Sequence, residues 1–226
     1  MMLHSWNVTT AEARDIQRRL SGMVRQIWDG RPLEVVAAAD VGFPDKHTVL
    51  AAVVAVTYPG LRVIETSVVE KPCSFPYVPG LLAFREAPAV LAAWQTIKTR
   101  VDLLLCDGQG LAHPRGMGLA THVGVVLDRP VIGCAKSHLY GKYGTVPRKK
   151  GRYACMLGNG QEIVGAALRT RDGVRPVFVS VWNRIDLATA IAVVLKCCRR
   201  YRIPEPLRLA HRLSTGGEVA IEVEPV

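Results

Sequence analysis

At 226 residues the chain is long enough to bury a sizeable core as one domain, and its 49% hydrophobic content excludes a disordered protein. The longest apolar runs, 49–56 and 187–195, are too short to span a bilayer, and Glu12, Arg14 and Asp15 stand where a signal peptide would need an apolar core, so a soluble cytoplasmic protein is expected. Lys and Arg number 29 against 19 Asp and Glu, a net charge of +10 that favours a polyanionic partner, phosphate backbones first.

The basic charge gathers in two places, Arg148-Lys149-Lys150 with Arg152, and the stretch from Lys196 to Arg202. The 6 cysteines have no C-x-x-C spacing and no secreted-framework pattern, which excludes a zinc ribbon or a disulfide scaffold and predicts buried thiols.

In chain order, residues 8–28 predict a helix. Thr9 or Thr10 caps it, Glu12 follows in the first turn, and Ile16, Leu20, Met23, Val24 and Ile27 give the apolar stripe. Leu33–Ala39 is a near-continuous apolar run, the pattern of a strand buried on both faces, and it ends in Asp40. Thr48–Thr57 and Arg62–Glu70 predict an antiparallel hairpin across the turn Tyr58-Pro59-Gly60-Leu61.

The segment Phe75-Pro76-Tyr77-Val78-Pro79-Gly80 is a proline-locked loop. Pro76 and Pro79 fix their own φ and push Phe75 and Val78 towards extended geometry, so Tyr77 stands on a stiff strut. A helix follows to about Lys98. Glu86 sits inside it among apolar residues, where a carboxylate is seldom buried without a partner or a metal.

Asp102–Cys106 predicts another buried strand, and it too ends in an acid, Asp107. A short helix at 118–127 and a strand at 130–135, ending at Lys136, complete a strand–helix–strand order that argues for parallel pairing. The stretch 137–160 is turn-rich and basic. Strands are predicted at 161–169 and 175–181, a long helix at 186–201 with Asp186 at its N-cap, and a last short helix carrying His211. No repeat or low-complexity tract marks a domain boundary, so 1–226 reads as a single domain.

Asp40, Asp107 and Glu86 share a description. In an α/β sheet, sites form beyond strand ends. If the strands ending in Asp40 and Asp107 are parallel neighbours, the two carboxylates stand side by side, which is costly unless a cation holds them. Oxygen-only ligands suit Mg²⁺ or Mn²⁺ and not zinc. Singly, each acid reads as a turn residue or a cap. Together, in a basic protein, they read as equipment for metal-assisted phosphodiester cleavage.

The chain resembles the endonuclease V family of deoxyinosine-specific repair nucleases. The resemblance rests on Ala39-Asp40-Val41-Gly42-Phe43, Pro76-Tyr77-Val78-Pro79-Gly80 with Phe84-Arg85-Glu86, Asp107-Gly108-Gln109-Gly110 with Ala112-His113-Pro114-Arg115, Gly133-Cys134-Ala135-Lys136-Ser137, and Arg202-Ile203-Pro204-Glu205-Pro206 through His211. It implies an RNase H-like α/β fold: a mixed sheet, its first three strands antiparallel and then parallel strands, with helices on both faces. It implies catalytic residues Asp40, Glu86, Asp107, Lys136 and His211, with Mg²⁺ on Asp40, Asp107 and Glu86, Mn²⁺ able to substitute.

Tyr77, between Pro76 and Pro79, matches the wedge that fills the gap left by an extruded base. Gly80, Gly108 and Gly110 would let backbone groups approach that base, with Leu82 and His113 as further lining; ordinary turn chemistry is the alternative for the glycines. The implied reaction nicks DNA at the second phosphodiester bond 3′ to a deaminated base, leaving 3′-hydroxyl and 5′-phosphate ends.

The chain departs from the family in reading Trp182-Asn183 where Gly-His is usual, although Asp186 is retained. Two alternatives stay open: an inosine-specific ribonuclease acting on single-stranded RNA, and a non-catalytic nucleic-acid binder crippled at Trp182-Asn183. The C-terminal tail, with Glu218, Glu222 and Glu224, has no functional account.

Overall fold

The apolar run that begins at Leu33 becomes β1, Val35–Gly42, and residues 36–40 are all buried. A strand closed on both faces belongs at the middle of a sheet covered by helices. β2, Thr48–Thr57, pairs with it antiparallel, and β3, Val63–Pro72, continues antiparallel from β2 as the predicted hairpin. On its other side β1 takes β4, Leu103–Cys106, in parallel, and β5, Val131–Ala135, adds parallel to β4. The mixed α/β sheet implied by the resemblance is what the chain folds into. This computed structural model describes residues 3–23, 27–182 and 184–221.

Three further strands, β6 Tyr153–Leu157, β7 Ile163–Leu168 and β8 Val177–Trp182, run antiparallel and extend the sheet to the order β3-β2-β1-β4-β5-β8-β7-β6. β6 is a strand the sequence reading did not predict, inside the turn-rich, basic stretch 137–160. As an edge strand whose ladder partner is β7, with one further bridge from Leu157 to Lys142, it has an exposed Tyr153 and no fully apolar run to announce it.

Five helices are described: α1 Thr10–Ser21, α2 Leu82–Thr96, α3 Leu119–Leu127, α4 Leu187–Cys197 and α5 Glu205–Ser214. Ala37, Ala39, Leu104 and Cys106 pack beneath α2 and α3, whereas Val36, Ala38, Leu103 and Leu105 pack beneath α4 and α5. Each fully buried leucine of β4 contributes roughly 1.5–3 kcal/mol. The two-residue period carries the side chains at 40 and 107 to the α4/α5 side.

α1 starts as predicted. The Thr9 hydroxyl accepts from Glu12 N–H, and Glu12 Oε2 accepts from Thr9 N–H at 2.7 Å. It is shorter than expected: Met23 and Ile27, assigned to its apolar stripe, are exposed at 51% and 78%, and Val24 lies outside the described residues. α4 begins at its predicted cap, with Asp186 accepting from Thr189 N–H at 2.9 Å, but ends at Cys197, four residues before the predicted stop at Tyr201. All 6 cysteines are free thiols, as expected, and Cys155 alone is not fully buried. Among the described residues no helix is long and apolar enough to cross a membrane.

Candidate active site

The register sets Ala39 opposite Cys106, and Asp107 N–H donates to the Ala39 carbonyl at 3.1 Å. Asp40 and Asp107 therefore stand side by side at the ends of adjacent parallel strands. Each is held by a basic residue. Lys136, one residue past β5, places Nζ 2.5 Å from Asp107 Oδ2. His211 on α5 places Nδ1 2.8 Å from Asp40 Oδ2, and Ser214, one turn on, donates to the same oxygen at 2.9 Å. Gly42 makes this docking possible: a Cβ there would lie 2.0 Å from the Ser214 carbonyl oxygen, so α5 can press against the end of β1 only over a glycine.

Glu86 comes from α2, beneath the other face, and is 6% exposed. Burial first, then the charges of Asp40 and Asp107, push its carboxyl up to about 8, against the pull of Arg85. Asp107 is also raised, by burial and by Asp40, with Lys136 opposing. Among the described residues no three His, Cys, Asp or Glu side chains converge into a ready-made metal cage. The electrostatics nonetheless fit a hard cation: Asp40 and Asp107 raise the proton affinity of Glu86, Asp40 raises that of Asp107, and every carboxylate donor is an oxygen.

This arrangement makes stability depend on pH. The folded value of Glu86 lies above its ordinary 4.5, so the folded protein keeps a proton that the unfolded chain releases. Its contribution is full below 4.5 and is lost as pH rises towards 8. His113 and His122, pushed down by burial to about 4 and about 3, act in the opposite sense, but only below 6.5. The melting temperature of the metal-free protein is therefore expected to fall between pH 6.5 and 8, and Glu86→Gln to flatten most of that slope. An equally steep slope in Glu86→Gln contradicts the assignment.

The proline-locked loop ends at a cavity of about 150 Å³. Tyr77, Pro79, Gly80, Leu82, Gln109, His113 and Leu119 are among its lining residues. It lies at the starts of α2 and α3, neither of which has a side-chain cap. Tyr77 is 72% exposed at its rim, while Phe75 on one side is buried against Phe84 and Val78 on the other packs into the same cluster. Pro76 and Pro79 are exposed beside it.

Gly80, at φ +78°, turns its carbonyl onto three donors: Gln17 Nε2 at 3.0 Å, His113 Nε2 at 2.9 Å and Arg115 Nη2 at 2.7 Å. His113 Nδ1 accepts from the N–H groups of Arg115 and Met117, which fixes the proton on Nε2. Thus the Gly80 carbonyl is already occupied, and His113 anchors the loop while lining the cavity.

Gly108 and Gly110 lie outside that lining. A Cβ on Gly108 would meet the Leu119 side chain at 3.3 Å, and one on Gly110 would stand 2.9 Å from the Ser180 carbonyl oxygen. Both serve close packing, and Gly110 N–H donates to Ser180 Oγ at 2.6 Å. The sequence reading also missed Gln17, which is fully buried, bridges Gly80 and Met117, and accepts from Arg115 Nε at 2.6 Å. The available signal was a polar side chain on the buried stripe of α1, with Ala13 and Leu20. Ser214 gave no signal, because its role depends on where α5 docks.

Trp182 pairs with Val131 at the start of β5, the end of the strand away from Lys136. Trp182 is thus remote from the acids, and Asn183 lies outside the described residues.

The family model described as Endonuclease V matches residues 18–212. Endonuclease V of Roseiflexus castenholzii is 48% identical over 216 residues, 96% of each chain. The crystal structure of Endonuclease V from Streptomyces avermitilis superposes with a TM-score of 0.88 at 43% identity, covering 93% of each chain. Ciona intestinalis Endonuclease V, crystallised with a 24mer DNA containing an inosine followed by a ribo-adenosine, shares the fold at a TM-score of 0.82 and 24% identity, over 91% of this chain and 95% of that one. The chain is a member of the endonuclease V family of nucleases.

Proposed function

We propose that this nuclease recognises deaminated bases in DNA, deoxyinosine first, and nicks the strand at the second phosphodiester bond on the 3′ side with Mg²⁺ or Mn²⁺. The observation that carries the reading is the acid pair at adjacent strand ends, flanked by Lys136 and His211, with an apolar cavity opening beside Tyr77. The inosine-containing DNA bound by the Ciona relative agrees with it.

Hypoxanthine pairs weakly with most partners, so extruding it costs less than extruding a matched base. Its carbonyl oxygen is an acceptor where adenine carries an amine. The first turns of α2 and α3, neither with a side-chain cap, border the cavity where Leu82 and Leu119 line it, and helix starts carry N–H donors and a positive dipole end. Donors welcome the carbonyl of hypoxanthine and leave the amine of adenine unpaired, and such mismatches discriminate strongly.

Asp40, Asp107 and Glu86 would hold the metal, which when bound neutralises the phosphate and stabilises charge on the leaving oxygen. His211, oriented by Asp40, is placed to accept a proton from the attacking water through Nε2, the nitrogen not committed to Asp40. Lys136, beside Asp107, would stabilise charge on the phosphate.

The test compares strands carrying one deoxyinosine, one riboinosine or one deoxyadenosine at the same position, with and without Mg²⁺. Nicking of the deoxyinosine strand above both others is expected. Preference for riboinosine supports the ribonuclease reading instead. Binding is expected to be salt-sensitive and independent of metal. Four phosphate contacts give a slope of log K against log salt of about −3. Affinity that stays flat between low and physiological salt contradicts the charge argument.

A further inference from the structure

A second, broader cavity lies on the α5 side of the acids. It is a groove of about 720 Å³, lined by Lys136, Ile203, Leu207, Arg208, His211 and Arg212 among others. Lys136 and His211 are bonded to Asp107 and Asp40, so the groove opens directly onto the acid pair. Its apolar part is Ile203, Leu207 and Leu209, and its cations are presented along one face of α5, where residues three and four apart are neighbours. Arg208 lies over the Tyr201 ring at 3.3 Å and is tied to Glu205 at 2.8 Å. Arg212 is exposed, and its guanidinium makes no ion pair or hydrogen bond among the described residues. A smaller groove of about 360 Å³ continues from Arg212 to Arg200 and Arg199.

The other basic run is engaged differently. Lys149 pairs with Asp172 at 3.4 Å, and Lys150 Nζ donates to the Cys198 carbonyl at 2.9 Å, so these lysines tie their loop to its neighbours. The cavity beside Tyr77, by contrast, lies at the starts of α2 and α3, helices packed on the opposite face of the sheet from α5. Gln109, two residues past Asp107, lines the Tyr77 cavity, and Lys136 and His211, bonded to Asp107 and Asp40, line the α5 groove.

We propose that the α5 groove is the track for the nucleotides on the 3′ side of the scissile bond, with Arg212 and Arg208 holding their phosphates. This rests on the functional reading above, in which the recognised base lies on the 5′ side of the cut. A strand with its base beside Tyr77 and its second 3′ phosphodiester over Asp40 and Asp107 continues into this groove. The 5′→3′ direction then runs from Tyr77 across the acids to Arg212. An apolar floor with an arginine rim suits a single strand, whose sugars and bases need partners as much as its phosphates do.

The experiment measures kcat/KM for single-deoxyinosine strands with Mg²⁺, comparing a full-length strand with one truncated just beyond the cut on its 3′ side and one truncated on its 5′ side. Wild type, Arg212→Ala, Arg212→Lys and Arg129→Ala are compared; Arg129 is an exposed cation between α3 and β5, at the other end of the strands. Loss of the 3′ segment is expected to cost wild type and Arg129→Ala about tenfold, Arg212→Lys nearly as much, and Arg212→Ala less than about threefold. The 5′ truncation should cost all four proteins alike. Equal 3′ sensitivity in wild type and Arg212→Ala overturns the proposal, and loss of 5′ sensitivity in Arg212→Ala overturns its direction. Wild type that nicks no deoxyinosine strand overturns the functional reading itself.

Discussion

Asp40→Ala and Asp107→Ala are each expected to lower Mg²⁺-dependent nicking of a deoxyinosine strand by on the order of a thousandfold or more, about 4 kcal/mol at 1.36 kcal/mol per decade. The two carboxylates flank one point at adjacent strand ends, and the loss of either leaves the other without the geometry that draws a cation there. The fold should survive both changes. In Asp40→Ala, Ser214 keeps a bond to the His211 carbonyl at 3.0 Å. In Asp107→Ala, the Lys136 side chain is already 43% exposed and loses its partner to water. Each change also removes a negative charge that raises Glu86, so the melting temperature without metal should hold or rise. A mutant that nicks at near the wild-type rate refutes the metal assignment.

Tyr77→Ala is expected to weaken binding to deoxyinosine DNA by roughly ten- to a hundredfold, the equivalent of about 1–3 kcal/mol for one lost base–aromatic stack. The ring stands 72% exposed at the cavity rim, while Phe75 and Val78 anchor the chain around it. Little conformational entropy is then lost when the ring enters a base stack. Tyr77→Phe should keep most of the affinity, because stacking needs the ring and not the hydroxyl. The competing view makes Tyr77 a support for the loop. It requires Tyr77→Ala to lower the melting temperature, an outcome that exposure of the ring argues against. Lost stability with unchanged affinity per folded molecule rules out the wedge.

The acids were legible in the sequence because their surroundings are extreme: two all-apolar runs that each stop at an aspartate, and a glutamate inside an apolar helix. The sequence made their neighbourhood conditional on parallel pairing of β1 with β4; the structure pairs them so, and the register places Asp40 beside Asp107. The supports of the site were not legible. Gln17 and Ser214 act across long sequence separations, on the Gly80 carbonyl and on Asp40, and no local pattern marks such contacts. Gly108 and Gly110 were assigned to the base pocket on motif alone, and their close approaches to Leu119 and Ser180 explain them as packing. Trp182-Asn183 looked alarming in one dimension, but strand pairing carries Trp182 to the far end of β5.

The ends of the cut strand test the account most directly. With one deoxyinosine in a labelled strand and Mg²⁺ present, a single cut is expected between the first and second nucleotides 3′ of the lesion. The labelled fragment should end in a 3′-hydroxyl and the other should begin with a 5′-phosphate, so that ligase reseals the nick. No cut is expected in the presence of a chelator. Cuts scattered along the strand regardless of the lesion, or cutting that persists without divalent metal, would contradict it.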